Sequence, residues 1–196
     1  MKLFKLTDSN GQTYGGIQWG EGVTHEGTGE GELCGPGWIH AYTDPVLAVM
    51  LNPIHAEFTN PRLWEAEGEV SKTDFGLKVG CRRLTTVREL QLPEVSIEQR
   101  IRFGILCAKL VMVNDTTGWN LWADRWLNGT DRTARAATRA AHAAAWDGGR
   151  EAARVAAWAA RATARAALAA EAATLAAAQR PLDLIQLAHQ ALKDQP

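Results

Sequence analysis

The chain has 196 residues, of which 46% are hydrophobic, 21 are basic and 22 are acidic, and its formal net charge is −1. This length fits one medium domain, or a small domain with an extension. No stretch of 18 apolar residues is free of charge, which argues against a membrane span. The amino-terminal residues lack the apolar stretch of a signal peptide, and the three cysteines are too few for a disulfide framework, so we expect a cytoplasmic protein.

The chain consists of two regions that differ in composition. Ten of its 18 glycines lie between residues 11 and 37, and 25 of the 45 residues from 134 to 178 are alanine. Residues 1–129 carry 12 basic and 16 acidic side chains, whereas residues 130–196 carry 9 and 6. We therefore predict a globular domain over residues 1–129, an alanine-rich helical arm over 130–180 and a short helix over 181–196.

The first 60 residues contain signals for strands, a loop and a helix. Residues 4–6 alternate in polarity, a turn follows at residues 8–11 and residues 13–19 are extended again, which predicts a β-hairpin. Glycine is so frequent from residue 20 to 37 that we expect a long loop, followed by a short buried strand at 38–42. Asp44 and Pro45 predict the start of a helix that ends after two turns at Asn52 and Pro53.

The next 70 residues predict two further strands and two helices. Residues 63–70 form a strand pattern with Trp64, Ala66 and Val70 on its buried face, and residues 77–90 continue the β pattern. Ser96 and Gln99 have capping-box spacing ahead of an apolar helical repeat. Trp119, Trp122 and Trp126 share one face of a short helix, which we interpret as a packing anchor. The predicted class is α+β: a small, mainly antiparallel sheet covered by these two helices.

The alanine-rich segment is an amphipathic repeat. Its arginines share one third of the helix circumference, and the opposite faces are almost entirely alanine, which lets another helix approach closely. Gly148 and Gly149 can break the segment into two helices that fold back as a hairpin. Alternatively, the arginines keep the same angular position across this break, which favours one long helical rod. We expect self-association or docking of a protein partner here, with a weaker indication of nucleic acid. The candidate binding residues are Arg135, Arg139, Arg150, Arg154, Arg161, Arg165, Trp146 and Trp158.

Catalytic and metal signatures are weak. The spacing of the candidate ligands matches no zinc pattern, and the glycine-rich loop carries carboxylates where a phosphate would bind, so we predict neither a metal nor a cofactor. One predicted strand carries histidine and tyrosine, and a later strand carries glutamate. This order is loosely similar to that in ADP-ribosyltransferases, in which such residues hold the nicotinamide ribose of NAD and direct attack at it. Under that alternative the catalytic candidates are His40, Tyr42, Glu65, Glu67 and Glu69.

Four short runs resemble an uncharacterised family of phage- and prophage-borne proteins. They are QWGEGVTH at residues 18–25, ELC at 32–34, IHAY at 39–42 and LNPIHA at 51–56. Members resemble the chain over residues 1 to about 130, and many continue into alanine-rich tails. The family has no established activity, so the resemblance implies a biological setting, the cytoplasm of an infected host cell, and no reaction. Together with the long alanine face, this setting leads us to expect a non-enzymatic accessory protein that binds a host or viral macromolecule, for host takeover or counter-defence. A virion structural component is a further alternative.

Overall fold

The computed structural model describes residues 1–114, 118–146, 155 and 166–193. It confirms the α+β class, with strands in the first half of the chain and helices in the second. The chain divides into two compact units, Met1–Glu94 and Val95–Pro196. The division therefore falls after residue 94, whereas the sequence placed it after residue 129, and the two helices expected to belong with the sheet lie in the second unit.

The first unit is an antiparallel sheet with one helix. Its elements are β1 (Lys2–Thr7), β2 (Gln12–Thr13), β3 (Ile17–Gln18), β4 (Thr24–Glu26), β5 (Ile39–Ala41), α1 (Pro45–His55), β6 (Arg62–Thr73) and β7 (Val79–Leu90). One edge of β7 pairs with β6, and its other edge pairs with β5 and, further along the strand, with β4. The remaining edge of β6 pairs with β1, and two backbone hydrogen bonds of 2.8 Å between Phe4 and Tyr42 join β1 to the end of β5.

The predicted hairpin of the first 19 residues is wrong in its pairing. Strand β1 pairs with β6, while β2 and β3 form a separate two-stranded sheet around a turn at residues 14–16. The physical reason is the length of the two possible partners. A two-residue strand would leave most backbone donors and acceptors of the buried β1 unpaired, whereas β6 pairs with all six of its residues. The expected strands at 38–42, 63–70 and 77–90 are confirmed.

Helix α1 begins as predicted and ends later. The Asp44 carboxylate accepts hydrogen bonds from the backbone amides of Val46 and Leu47, at 2.8 and 2.9 Å, and so caps the helix. Pro53, expected to end the helix, lies inside its last turn, which runs to His55. The extra turn matters for the site described below, because it carries the His55 side chain.

The second unit is a group of helices. Its described helices are α2 (Ile97–Val111), α3 (Trp119–Leu127), α4 (Ala134–Trp146), α5 (Ala166–Gln179) and α6 (Leu184–Leu192). The capping box of α2 is confirmed, because Gln99 N donates to Ser96 Oγ and Ser96 N donates to Gln99 Oε1. The three tryptophans of α3 are buried, as the anchor interpretation requires, and the ring centroids of Trp119 and Trp122 lie 5.7 Å apart.

The alanine face of α5 is covered by the chain itself. Helix α5 packs against α2, and a β-carbon added to Gly104 of α2 would lie only 3.0 Å from the Cα and carbonyl oxygen of Ala169. This close approach requires small residues on both helices. The part of the segment that α5 represents is therefore a packed component of the second unit, in place of the expected free arm. Its buried alanines are Ala169, Ala170, Ala172, Ala173, Ala176 and Ala177.

The carboxy-terminal helix is confirmed. Asp183 caps α6 by accepting a hydrogen bond from the amide of Gln186 at 2.9 Å. Leu184 and Leu187 are buried, whereas Ile185 is 37% exposed. Among the described residues, no helix has the length and apolar character needed to cross a membrane.

Candidate functional site

The first unit contains a polar cleft of about 230 Å³, which we call the Lys5 cleft. Strand β1, the turn after β2, the end of β5, the end of α1 and the start of β7 meet around it. It brings together four side chains that can carry positive charge and two tyrosines. The lining residues are Lys5, Leu6, Thr13, Tyr14, His40, Tyr42, His55, Ala56, Phe58 and Lys78.

Lys5 is a buried amine without a carboxylate among its described contacts. It projects from the same face of β1 as the core residue Leu3, and only 8% of its surface is exposed. Its Nζ donates a hydrogen bond of 2.7 Å to the His40 carbonyl oxygen and lies 5.0 Å from the centroid of the Trp19 ring. Burial lowers the pKa of Lys5 from its usual 10.5 to about 8. The ammonium form therefore persists at neutral pH at a cost in stability.

The two histidines of the cleft are neutral at neutral pH. His40 Nε2 bonds to the Leu33 carbonyl oxygen, which can only accept, so Nε2 carries the proton. Burial lowers the pKa of His40, and the charges of Lys78 and Lys5 lower it further. The pKa of His55 falls to about 4, through burial first and then through Lys78 and His40. The net charge of the cleft at neutral pH therefore comes from its two lysines.

Tyr42 and His55 form a pair on one side of the cleft. The Tyr42 hydroxyl lies 3.3 Å from His55 Nδ1, and the two rings are stacked with centroids 6.0 Å apart. Burial raises the pKa of Tyr42, so its hydroxyl stays protonated and serves as a donor. The extra turn of α1 beyond Pro53 is what places His55 at this position.

Lys78 and Tyr14 stand at the more open parts of the cleft. Lys78 Nζ donates to Sγ of Cys34 at 3.2 Å, which leaves two of its three ammonium hydrogens for other acceptors. Tyr14 is 95% exposed on the turn that joins β2 to β3. Gly15 and Gly16 follow it with φ of 77° and 72°, a conformation that other residues adopt only with strain.

The structure brings together some of the residues that the sequence singled out, and not others. His40 and Tyr42 line the Lys5 cleft, but none of the three candidate glutamates lies among its lining residues. Glu65 forms ion pairs with Lys2 at 3.2 Å and Arg88 at 2.7 Å, which lower its pKa. Glu67 and Glu69 line a separate open groove of the same sheet. The three carboxylates and the His40–Tyr42 pair therefore do not form one constellation.

The candidate binding residues of the alanine-rich segment are only partly described. Arg135 and Arg139 are exposed on α4, and Arg139 lines a shallow groove with Arg125 and Asp131. The others lie outside the described residues: Arg150, Arg154, Arg161, Arg165, Trp158 and the side chain of Trp146. The predicted break at residues 148–149 also lies outside them.

Sequence reasoning missed Lys5, Lys78 and Tyr14. Lys5 looked like the outward residue of an alternating strand, because Phe4 and Leu6 flank it, and only the burial of both faces of β1 reveals its position. Within the described part of the chain, no three His, Cys, Asp or Glu side chains are grouped as a metal ion would require.

The chain was compared with models of known protein families, with curated proteins and with solved structures. None of these comparisons gave a match.

Proposed function

We propose that the protein is a non-enzymatic binding protein that takes up an anionic group of a host or viral macromolecule in the Lys5 cleft. The observation that carries this proposal is the composition of the cleft lining. Lys5 and Lys78 supply positive charge, Thr13 supplies a hydroxyl donor, and no carboxylate is present among the lining residues. Such a lining favours anions over cations or neutral ligands.

The burial of Lys5 supports a role in binding. A buried ammonium group that lacks a carboxylate partner costs stability, and a methionine of similar size would avoid that cost. Perturbed groups of this kind cluster at functional sites. An anion that entered the cleft would supply the missing opposite charge, so that the unfavourable state of the free protein becomes favourable in the complex.

The biological setting of the proposal is the phage family that residues 18–56 resemble. An accessory protein that acts in an infected cell needs a partner there, and the charge of the cleft predicts an acidic or phosphorylated one. The proposal also includes self-association through the alanine-rich segment. Because the alanine face of α5 is already packed on α2, that part depends on residues outside α5. Light scattering tests it, and a strict monomer at high concentration would remove it.

Binding of inorganic phosphate, measured by calorimetry, tests the cleft directly. We expect the wild-type protein to bind phosphate and Lys78→Ala to bind it at least about tenfold more weakly, because a charge-assisted hydrogen bond is lost. Lys193→Ala is the matched control, since Lys193 is exposed and distant in sequence from the cleft. The same three proteins then serve as baits in infected-cell lysate. Absence of phosphate binding to the wild type would refute the proposal, and so would a partner that Lys78→Ala retains as well as the wild type does.

An ADP-ribosyltransferase-like enzyme is the second candidate, because His40 and Tyr42 line one cleft. It still requires a glutamate at that cleft. Incubation with NAD and host lysate should then add mass to a target, and Glu67→Gln or the same change at its neighbours should abolish the addition. Absence of both transfer and NAD binding excludes this candidate. Recovery of the protein from purified particles would instead favour a virion component.

A further inference from the structure

We propose that the anionic group recognised by the Lys5 cleft is the phosphate of a nucleotide whose base stacks on Tyr14. This inference rests on the proposed function and specifies the ligand. The observations that carry it are the size of the cleft, the exposure of Tyr14 beside it and the hydrogen bond that ties the turn bearing Tyr14 to the buried Trp19.

The size of the cleft fits part of a nucleotide. Pockets that enclose a whole ligand of drug size have volumes of roughly 300–1,000 Å³, and the Lys5 cleft has about 230 Å³. A phosphate and part of a sugar can enter it, and the remaining portion of the ligand must stay outside. Lys78, with two ammonium hydrogens not used by Cys34, is placed to bind phosphate oxygens.

Tyr14 offers a surface for that outer portion. At 95% exposure the ring packs on nothing that would explain an aromatic residue, and yet it lines the cleft. Exposed aromatic rings next to positive charge are how proteins bind the bases of single-stranded nucleic acid, because every base has a face that can stack. An acidic peptide would use the lysines but would gain little from such a ring.

The turn that carries Tyr14 is anchored to the core. Trp19 is buried, with 3% of its surface exposed. Its Nε1 donates a hydrogen bond of 3.0 Å to Thr13 Oγ1. Thr13 is the residue before Tyr14, and its hydroxyl hydrogen remains available for a ligand oxygen because Oγ1 acts as the acceptor in that bond. Tyr14 can therefore contact the base while its neighbour Thr13 contacts the phosphate.

Calorimetry with four probes tests the inference: a nucleoside 5′-monophosphate, the corresponding nucleoside, ribose 5-phosphate and inorganic phosphate. We expect the monophosphate to bind most tightly. Tyr14→Ala should weaken it by roughly 5- to 150-fold, the range for one stacked base, and leave ribose 5-phosphate unchanged. Tyr14→Phe should bind as the wild type does. Phe75→Ala is the control, because Phe75 is also an exposed aromatic residue on a turn but does not line the cleft.

The outcomes separate this inference from the proposed function. If monophosphate and ribose 5-phosphate bind equally, or Tyr14→Ala has no effect, the nucleotide assignment is overturned while anion binding stands. If phosphate-containing probes do not bind the wild type at all, both are overturned. A 5′-phosphorylated oligonucleotide, compared with the same oligonucleotide without its phosphate, distinguishes a nucleic-acid end from a free nucleotide as the source of the ligand.

Discussion

Replacing Lys5 with methionine tests whether the cleft holds an energetically costly charge. The pKa of Lys5 is lowered from 10.5 to about 8, and this difference corresponds to about 3 kcal/mol that the charged form costs the folded state at neutral pH. Methionine fills a similar volume without charge but loses the hydrogen bond to the His40 carbonyl, worth about 1 kcal/mol. We therefore expect Lys5→Met to be more stable than the wild type by about 2 kcal/mol at pH 7.

The sign of this effect changes with pH. Between pH 8 and 10.5 the folded protein has lost the Lys5 proton while the unfolded chain still holds it, so the contribution of Lys5 to stability rises with pH through that window. Above it only the lost hydrogen bond remains, and Lys5→Met should be the less stable protein. Cys107 and Tyr42 have raised pKa values and oppose this trend in both proteins, so their contributions cancel in the difference between the two proteins. The charge of Lys5 also lowers the pKa of Cys81, so the difference reports Lys5 together with its interaction with that thiol.

Urea unfolding of both proteins at pH 7 and pH 10.5, followed by circular dichroism, measures the difference. Lys193→Met is the control, since Lys193 is exposed and should give no pH-dependent change. A difference between wild type and Lys5→Met that stays constant with pH would refute the argument. So would a Lys5→Met protein that is less stable at pH 7, because the buried charge would then be compensated by contacts that the geometry does not include.

Three further predictions concern binding and packing. Affinity for sulfate, whose charge is constant in this range, should fall as pH rises through 8 because Lys5 loses its proton, and calorimetry of Lys5→Met should show a weaker but pH-independent affinity. Gly104→Ala should destabilise the second unit by about 1–3 kcal/mol in urea unfolding, because the new β-carbon meets backbone atoms of Ala169; unchanged stability would mean that the helices separate easily. Ser96→Ala should cost about 1 kcal/mol through loss of the capping box, whereas Ser71→Ala, on an exposed strand position, should cost little, and equal losses would contradict the capping role.

Only part of the Lys5 cleft could be predicted from the sequence. His40 and Tyr42 were recognisable from their residue types and their common strand. Lys5 was not, because an isolated lysine between two apolar residues in a strand is normally the solvent-facing one. Its burial depends on β6, Trp19 and the β2–β3 turn, which come from later parts of the chain.

Features that depend on neighbours along the chain could be read from the sequence. The caps by Asp44 and Ser96, the strand alternation at Trp64 and the stripe of buried tryptophans in α3 are each set by hydrogen bonds or periodicity within a few residues. Features that depend on which surfaces meet were decided only by the tertiary structure. Strand β1 pairs with β6 because β6 is long enough to pair with all six of its residues, and α5 packs on α2 because Gly104 allows the alanine face to approach closely. The alanine surplus, a pattern that the sequence could not assign to a partner, is in α5 the means of packing two helices of the same chain.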